Sequence, residues 1–314
     1  MNAFGRVSVG AAMSEHLRSP ATSPEWGTFA LIVACYAAWG LVIFGLAQWS
    51  ILAAILLGGL VAAMHSSLTH EALHGHPFRT KWLNEALMAL PLTLFIPYNR
   101  FRDQHLAHHL DSNLTDPYDD PESNFQDPAV WAAMRTWRRV LYSINNTMLG
   151  RIVLGPLIGQ ICFTLEELRG AARGDGAIWL AWALHLPGVA VVICIVAQSP
   201  MPIWAWGIAA YIGLGLVKIR TFLEHRAHEK SRARTVVIED RGLLAFLFLN
   251  NNLHVVHHMN PQAPWYRLPA LYRADKDRYL GCNEGYVYRS YAEVFRRYFL
   301  KAKDPVPHPL WPDV

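Results

Sequence analysis

The chain of 314 residues is 53% hydrophobic and only 17% charged, with 28 Lys and Arg against 24 Asp and Glu for a net charge of +4. That is too apolar for an ordinary soluble domain, and its basic residues form no stripe or motif of the kind a nucleic-acid binder carries. Cys35, Cys162, Cys194 and Cys282 stand alone, with no CxxC pair, which argues against an iron–sulfur cluster or a disulfide framework.

Residues 1–27 are polar and irregular, carry Arg6 and Arg18, and read as an N-terminal tail with no cleavable signal, because the apolar run that follows is too long for a signal-peptide core. Residues 28–48 hold no charge and are long enough to cross a hydrocarbon core of about 30 Å. Residues 51–69 make a second span, containing His65. Residues 177–198 make a third, with His185 near its middle and a kink expected at Pro187. Residues 203–224 make a fourth, with Lys218 and Arg220 placed to snorkel to the interface. Three shorter or interrupted apolar stretches, 85–98, 147–164 and 243–250, read as interfacial or re-entrant, the middle one being the candidate for a fifth crossing. A membrane domain is thus expected over 28–275, with 276–314 as a C-terminal tail. The predicted fold is an all-α integral membrane protein: four transmembrane helices, interfacial helices and a histidine-rich helical cap.

Charge placement predicts the orientation. The links Trp49-Ser50 and Ser199-Pro200-Met201-Pro202 carry no Lys or Arg. Every basic residue falls in the N-terminal tail, the 75–176 region, the foot of the fourth span or the C-terminal region, so these are expected on the cytoplasmic side.

Eleven of the 15 histidines fall in four tight groups on that same side: His70, His74 and His76; His105, His108 and His109; His225 and His228; His254, His257 and His258. On a helix, residues three and four apart share a face. His70 and His74 therefore aim together, and each His-x-x-His-His triplet can offer two ligands to one metal and one to a neighbour. The triplets, the first pair and His225 supply nine imidazoles: His70, His74, His105, His108, His109, His225, His254, His257 and His258. A tetrahedral zinc takes four. Nine fit two metals of higher coordination with open positions.

These residues resemble the membrane fatty acid desaturase and hydroxylase superfamily, whose pattern is HxxxH, then HxxHH, then a second HxxHH after two more spans. The flanking segments His109-Leu110-Asp111-Ser112-Asn113-Leu114-Thr115-Asp116-Pro117 and Asn251-Asn252-Leu253-His254 through Pro261 are similar to those of bacterial desaturases, and the resemblance runs from about residue 28 to 275. It implies a non-haem centre of two Fe that uses O2 to remove hydrogen from an unactivated C–H bond, introducing a C=C bond into a fatty acyl chain or related amphiphile. It also implies an extra histidine after the fourth span. Leu223-Glu224-His225 matches that place, and His228 is its rival.

Bound imidazoles need acceptors for their second nitrogen. Glu71, Asp111, Asp116, Asp119, Asp120 and Glu224 are adjacent candidates, and the acidic run from Asp116 to Glu122 follows the second group directly. The chain has no Gly-rich dinucleotide fingerprint and no haem-attachment pair, so electrons are expected from an external ferredoxin- or cytochrome-type donor. A hydroxylase or mono-oxygenase on the same scaffold, including a carotenoid-type one, stays open. So does a small amphiphilic metabolite as substrate. A metal transporter is a remote alternative, since transport sites lie near the bilayer midplane.

The remaining histidines read differently. His65 and His185 are expected to hydrogen-bond within the bundle, His76 to be a polar residue ahead of Pro77, and His16 and His308 to be tail residues. The basic clusters Arg135–Arg139 and Arg226–Arg234 suit anionic lipid headgroups or an acidic electron donor.

Overall fold

The structure, a computed structural model, describes residues 24–109 and 113–311. Helix α1 (Trp26–Gly40) runs on through a π-turn at Leu41–Gly45 and a 3-10 turn at Leu46–Gln48. Ser50 then caps α2 (Ile51–Leu73), its Oγ accepting from Ala53 N at 3.2 Å. The second span is longer than its apolar pattern suggests. At 1.5 Å per residue α2 is about 35 Å long, more than a hydrocarbon core of about 30 Å. Its last turn can therefore emerge while still helical, and it carries His70 and Glu71 out of the apolar layer in a rigid frame.

Short elements follow: α3 (Lys81–Leu87), α4 (Tyr98–His108), α5 (Pro128–Ala133), α6 (Thr136–Asn145) and α7 (Met148–Val153). Helix α8 (Gly155–Ala172) leads to α9 (Gly176–Ala197), capped by Asp175 and containing Pro187, and to α10 (Ile203–Thr221). Four helices are long and apolar enough to cross a membrane: Trp26–Gln48, Ile51–Leu73, Gly176–Ala197 and Ile203–Thr221. The 147–164 stretch is divided at Leu154 between α7 and α8, and α8 carries Glu166, Glu167 and Arg169, so among the described residues it adds no fifth crossing.

Small residues set the central contact. A Cβ on Gly59 of α2 would lie 2.6 Å from Ile212 Cγ2, and one on Gly213 of α10 would lie 2.7 Å from Ala62 Cβ and 3.0 Å from Gly59 O. Without side chains at these points α2 and α10 pack backbone to backbone, as helices in lipid do when van der Waals contact drives their association. Around this pair Trp39, Ile43, Ala54, Leu92, Val192 and Trp206 form the bundle core. Large apolar side chains such as Leu52, Leu56, Leu180 and Trp204 point outward, which a lipid environment satisfies. Leu157, Ile161, Leu165 and Leu168 line the outer face of α8, and Trp137, Val140 and Ile144 that of α6, matching helices that lie in the interface.

The cap covers one end of the bundle. It contains β1 (Val237–Ile238), α11 (Leu243–Leu247), α12 (His254–Met259), α13 (Leu268–Ala274), α14 (Lys276–Cys282), β2 (Val287–Tyr288) and α15 (Tyr291–Tyr298). Strands β1 and β2 pair in parallel, Val237 with Val287 and Ile238 with Tyr288. Residues from 276 onward are thus not a tail. Tyr279 packs with Val237, Val256 and Leu268, Tyr291 and Val294 pack with Phe222 and Phe248, and His308 is buried with its Nε2 3.2 Å from Thr115 Oγ1. A parallel pair needs the chain to return from a distance, and no local pattern in 276–311 announces it.

Candidate metal centre

The four histidine groups converge beneath the cap. His70 and His74 come from the end of α2, His105, His108 and His109 from the end of α4, His225 from just beyond α10, and His254, His257 and His258 from α12. Two sets of ligand atoms form. In one, His70, His74, His105 and His257 offer nitrogens all within 4.8 Å of one another; in the other, His108, His225, His254 and His258 do. His109 belongs beside the first, its Nε2 3.0 Å from His105 Nε2 and 3.2 Å from His257 Nε2. It also stacks on His258 at 4.3 Å between ring centroids, so the two sets share a wall. In each triplet the first and fifth positions serve one set and the fourth serves the other, because positions three and four apart diverge slightly around the helix.

The first set offers five histidines with His109 and the second offers four, at spacings that suit ligands held near right angles. The Nε2 atoms of His74 and His105 are 3.1 Å apart, those of His108 and His225 2.9 Å, and those of His225 and His254 3.1 Å. Metal–nitrogen bonds of about 2.1 Å put neighbouring ligands about 3.0 Å apart at right angles and about 3.4 Å apart at tetrahedral corners. His70 Nε2 is buried with no hydrogen-bond partner, a costly arrangement for a polar atom unless something else engages it.

The outer nitrogens face acceptors. His105 Nδ1 is 2.7 Å from Glu122 Oε1, His108 Nδ1 2.7 Å from Asp120 Oδ1, and His254 Nδ1 3.0 Å from Asn251 Oδ1. His225 Nδ1 is 3.5 Å from Thr235 Oγ1. Such contacts hold the proton on Nδ1 and turn the Nε2 lone pair inward.

Residues 47–291 match the family model described as fatty acid desaturase. The chain belongs to the fatty acid desaturase family. A comparison with curated proteins finds no match. Family membership makes this an oxidoreductase of desaturase or hydroxylase type, and four of its helices are long and apolar enough to cross a membrane.

Of the other positions expected beside the histidines, His228 and Asp116 stand apart, while Glu71 and Glu224 lie next to the rings but also engage other groups. His228 stands apart, its Nε2 3.3 Å from Glu284 Oε2. Asp116 folds its own loop, its Oδ1 accepting from Tyr118 N and Asp119 N. Asp111 lies outside the described residues. Glu71 Oε1 is 4.0 Å from His70 Nδ1, while its Oε2 accepts from Trp265 N at 3.1 Å. Glu224 Oε1 is 3.7 Å from His254 Nδ1 but 3.0 Å from Arg220 Nε, so Arg220 is a buried ion-pair partner and does not reach for the interface. Part of the second basic cluster also turns inward: Arg226 lies over the Tyr286 ring at 4.5 Å and Arg234 Nη1 donates to Leu114 O at 2.5 Å. Asn251 was not foreseen, though its place three before His254, one helical turn away, is the signal. Glu122 was visible only as the end of the acidic run.

Outside the site, His65 Nε2 is 3.1 Å from Tyr36 OH, His185 Nε2 3.0 Å from Leu94 O, and His76 Nδ1 2.6 Å from Glu25 Oε1. The cysteines among the described residues are all free.

Burial, then neighbouring histidines, hold His74, His225, His254 and His257 well below the usual imidazole range, so they present neutral lone pairs. At His108 burial acts the same way, but Glu122 and Asp120 outweigh it and lift the ring to about 9. Burial raises Glu122, yet His108 and His105 bring it well below the carboxylate range. A metal bound through His108 Nε2 would have to displace a proton held there.

A cavity of about 970 Å³ adjoins the histidines, its wall including His225, Glu224, Thr221 and Glu122 and, on the membrane side, Ile158, Phe163 and Leu184.

Proposed function

We propose that this chain is an O2-dependent desaturase of a fatty acyl chain or similar amphiphile, with a di-iron centre on the cytoplasmic face of the membrane and electrons supplied by a separate ferredoxin- or cytochrome-type protein. The observation that carries this reading is the pair of adjacent histidine sets with Nε2 spacings near 3 Å. His70, His74, His105, His109 and His257 would hold one iron, and His108, His225, His254 and His258 the other. When bound, the irons supply the power to oxidise an unactivated C–H bond with O2, which no side-chain acid or base can do.

The chain's own residues do the rest. Glu122, Asp120 and Asn251 hold Nδ1–H protons and fix the rings of His105, His108 and His254. Lys303 Nζ donates to His225 O, pinning the one ligand carried by a turn beyond a helix end. The apolar wall from α8 and α9 offers a place for a hydrocarbon chain. The basic residues on the histidine side of the bundle support a cytoplasmic site. The histidines gather at one end of the spans, which disfavours a transporter.

The test is a mass-spectrometric profile of total fatty acids in a bacterial host expressing the chain, beside a His108→Ala control. A species lighter by two hydrogens in the wild type alone is expected. One heavier by an oxygen would replace desaturation with hydroxylation. Purified protein that binds no iron would overturn the proposal.

A further inference from the structure

The cavity wall holds two cations that the proposed chemistry leaves unused. Arg151 on α7 and Lys218 on α10 both line it. They meet over the start of α8, where a Cβ on Gly155 would lie 3.0 Å from Arg151 Cδ, 3.3 Å from Asn145 Oδ1 and 3.5 Å from Lys218 Cγ. One turn further along α8, a Cβ on Gly159 would lie 3.7 Å from Lys218 Nζ. Two glycines at this spacing let the lysine stem lie flat on α8 with its ammonium at the cavity wall.

Several carboxylates of the same wall are engaged by other partners. Arg151 is buried; its Nε donates to Asn145 O at 3.0 Å and its Nη1 to Asn124 Oδ1, both neutral acceptors. Among the described residues neither Arg151 nor Lys218 has a carboxylate within ion-pair distance, and Lys218 Nζ has no hydrogen bond. Glu122 is held by His105, Glu224 by Arg220 at 3.0 Å, and Asp304 by Lys303 at 3.4 Å. A cation withdrawn from water is costly unless paired, and two side by side also repel. A cavity wall that keeps both is complementary to an anion.

The same wall continues in two directions. Ile158, Phe163 and Leu184 extend it as an apolar surface, and Thr221, Glu224 and His225 carry it toward the histidine sets. We infer that Arg151 and Lys218 form an anion site for the ionised end, carboxylate or phosphate, of a single-chain amphiphile whose hydrocarbon lies in this cavity. The inference deepens the proposed function and rests on it for the identity of the cavity as the substrate chamber. An uncharged polyene or alkane would leave both cations unmatched, so the site selects against such substrates by the cost of unpaired charge.

The test measures binding to the purified, iron-loaded full chain in uncharged detergent, by calorimetry, with decanoate, methyl decanoate, decyl phosphate and inorganic phosphate as probes. At least one anionic chain should bind about tenfold or more tighter than the methyl ester, a difference of about 1.4 kcal/mol. Lys218→Met should abolish that preference with iron content unchanged, and Lys218→Arg should restore it. Decanoate ahead of decyl phosphate assigns a carboxylate, and the reverse order assigns a phosphate. Equal binding of acid and ester, a preference that survives Lys218→Met, or inorganic phosphate binding as tightly as either chain would overturn the inference. The two proposals fail differently: if the desaturase reading is wrong, no product forms yet the Lys218-dependent preference persists; if the anion site is wrong, product forms without that preference.

Discussion

His108 and His225 lie 117 positions apart in sequence, and their Nε2 atoms are 2.9 Å apart in space. One comes from α4, the other from a turn beyond the last span, and His254 and His258 of α12 in the cap complete the set, so it exists only when cap and bundle are docked. His225→Ala should therefore lower bound iron to about half of the wild-type stoichiometry and abolish product formation, since a set reduced to three imidazoles holds metal poorly. His228→Ala should leave both unchanged, because His228 pairs with Glu284. Metal analysis of the two purified variants decides between them, and equal iron loss in both would refute the placement.

The acidic run divides by contact. Asp120 and Glu122 each reach an Nδ1 at 2.7 Å, whereas Asp116 accepts from the backbone N–H groups of Tyr118 and Asp119 in its own loop. Asp120→Asn and Glu122→Gln should each weaken iron affinity or activity by about 10- to 100-fold, the usual consequence of losing the partner of a ligating imidazole. Asp116→Asn should cost far less, because an amide oxygen still accepts both N–H groups. Competition with a calibrated chelator gives the ranking.

The approach of α2 to α10 has no room for a side chain at Gly213. Gly213→Val should destabilise the protein by about 1–3 kcal/mol through overpacking. It should also reduce iron binding, because α2 carries His70 and His74 while α10 leads into His225. Thermal unfolding in detergent reads the first effect and metal content the second; an unchanged melting temperature would show that the helices separate freely.

Residues beyond 275 are built into the cap, and Lys303 reaches the carbonyl oxygens of Phe222 and His225. A chain ending at residue 275 loses the partner of β1 as well as Lys303. It should insert into the membrane normally yet fail to retain iron. Lys303→Met in the full chain should reproduce part of that loss. Full iron content in the shortened chain would show the segment to be dispensable.

Chelation should lower the melting temperature of the wild type, because four separate segments converge on the two sets and repel or compete for protons when empty. Restoring Fe(II) at about 100 times its dissociation constant should return about 2.7 kcal/mol of stability by mass action. The same addition to His225→Ala should return less.

How much was legible follows from the range of the forces involved. Four spans, their short charge-free links and the shared side of the histidine groups come from composition and periodicity along the chain, because insertion in lipid is decided segment by segment. His70 with His74, and the members of each triplet, are neighbours by helical geometry alone. The boundary of α2 was underestimated because hydrophobicity ends before the helix does.

Other assignments needed the folded molecule. The sequence placed nine imidazoles on one side, but which set takes His109, and that His225 and not His228 joins His108, depend on where α4, α10 and α12 meet. The choice of Asp120 and Glu122 over Asp116 depends on how one loop turns. The incorporation of 276–311 rests on a parallel strand pair whose partners are 50 residues apart, as Val237 and Val287 are. Local patterns report what a segment prefers when solvated by water or lipid. Contacts between distant segments are decided by packing and by the cost of leaving buried charges and imidazoles unmatched, and that cost is set only in three dimensions.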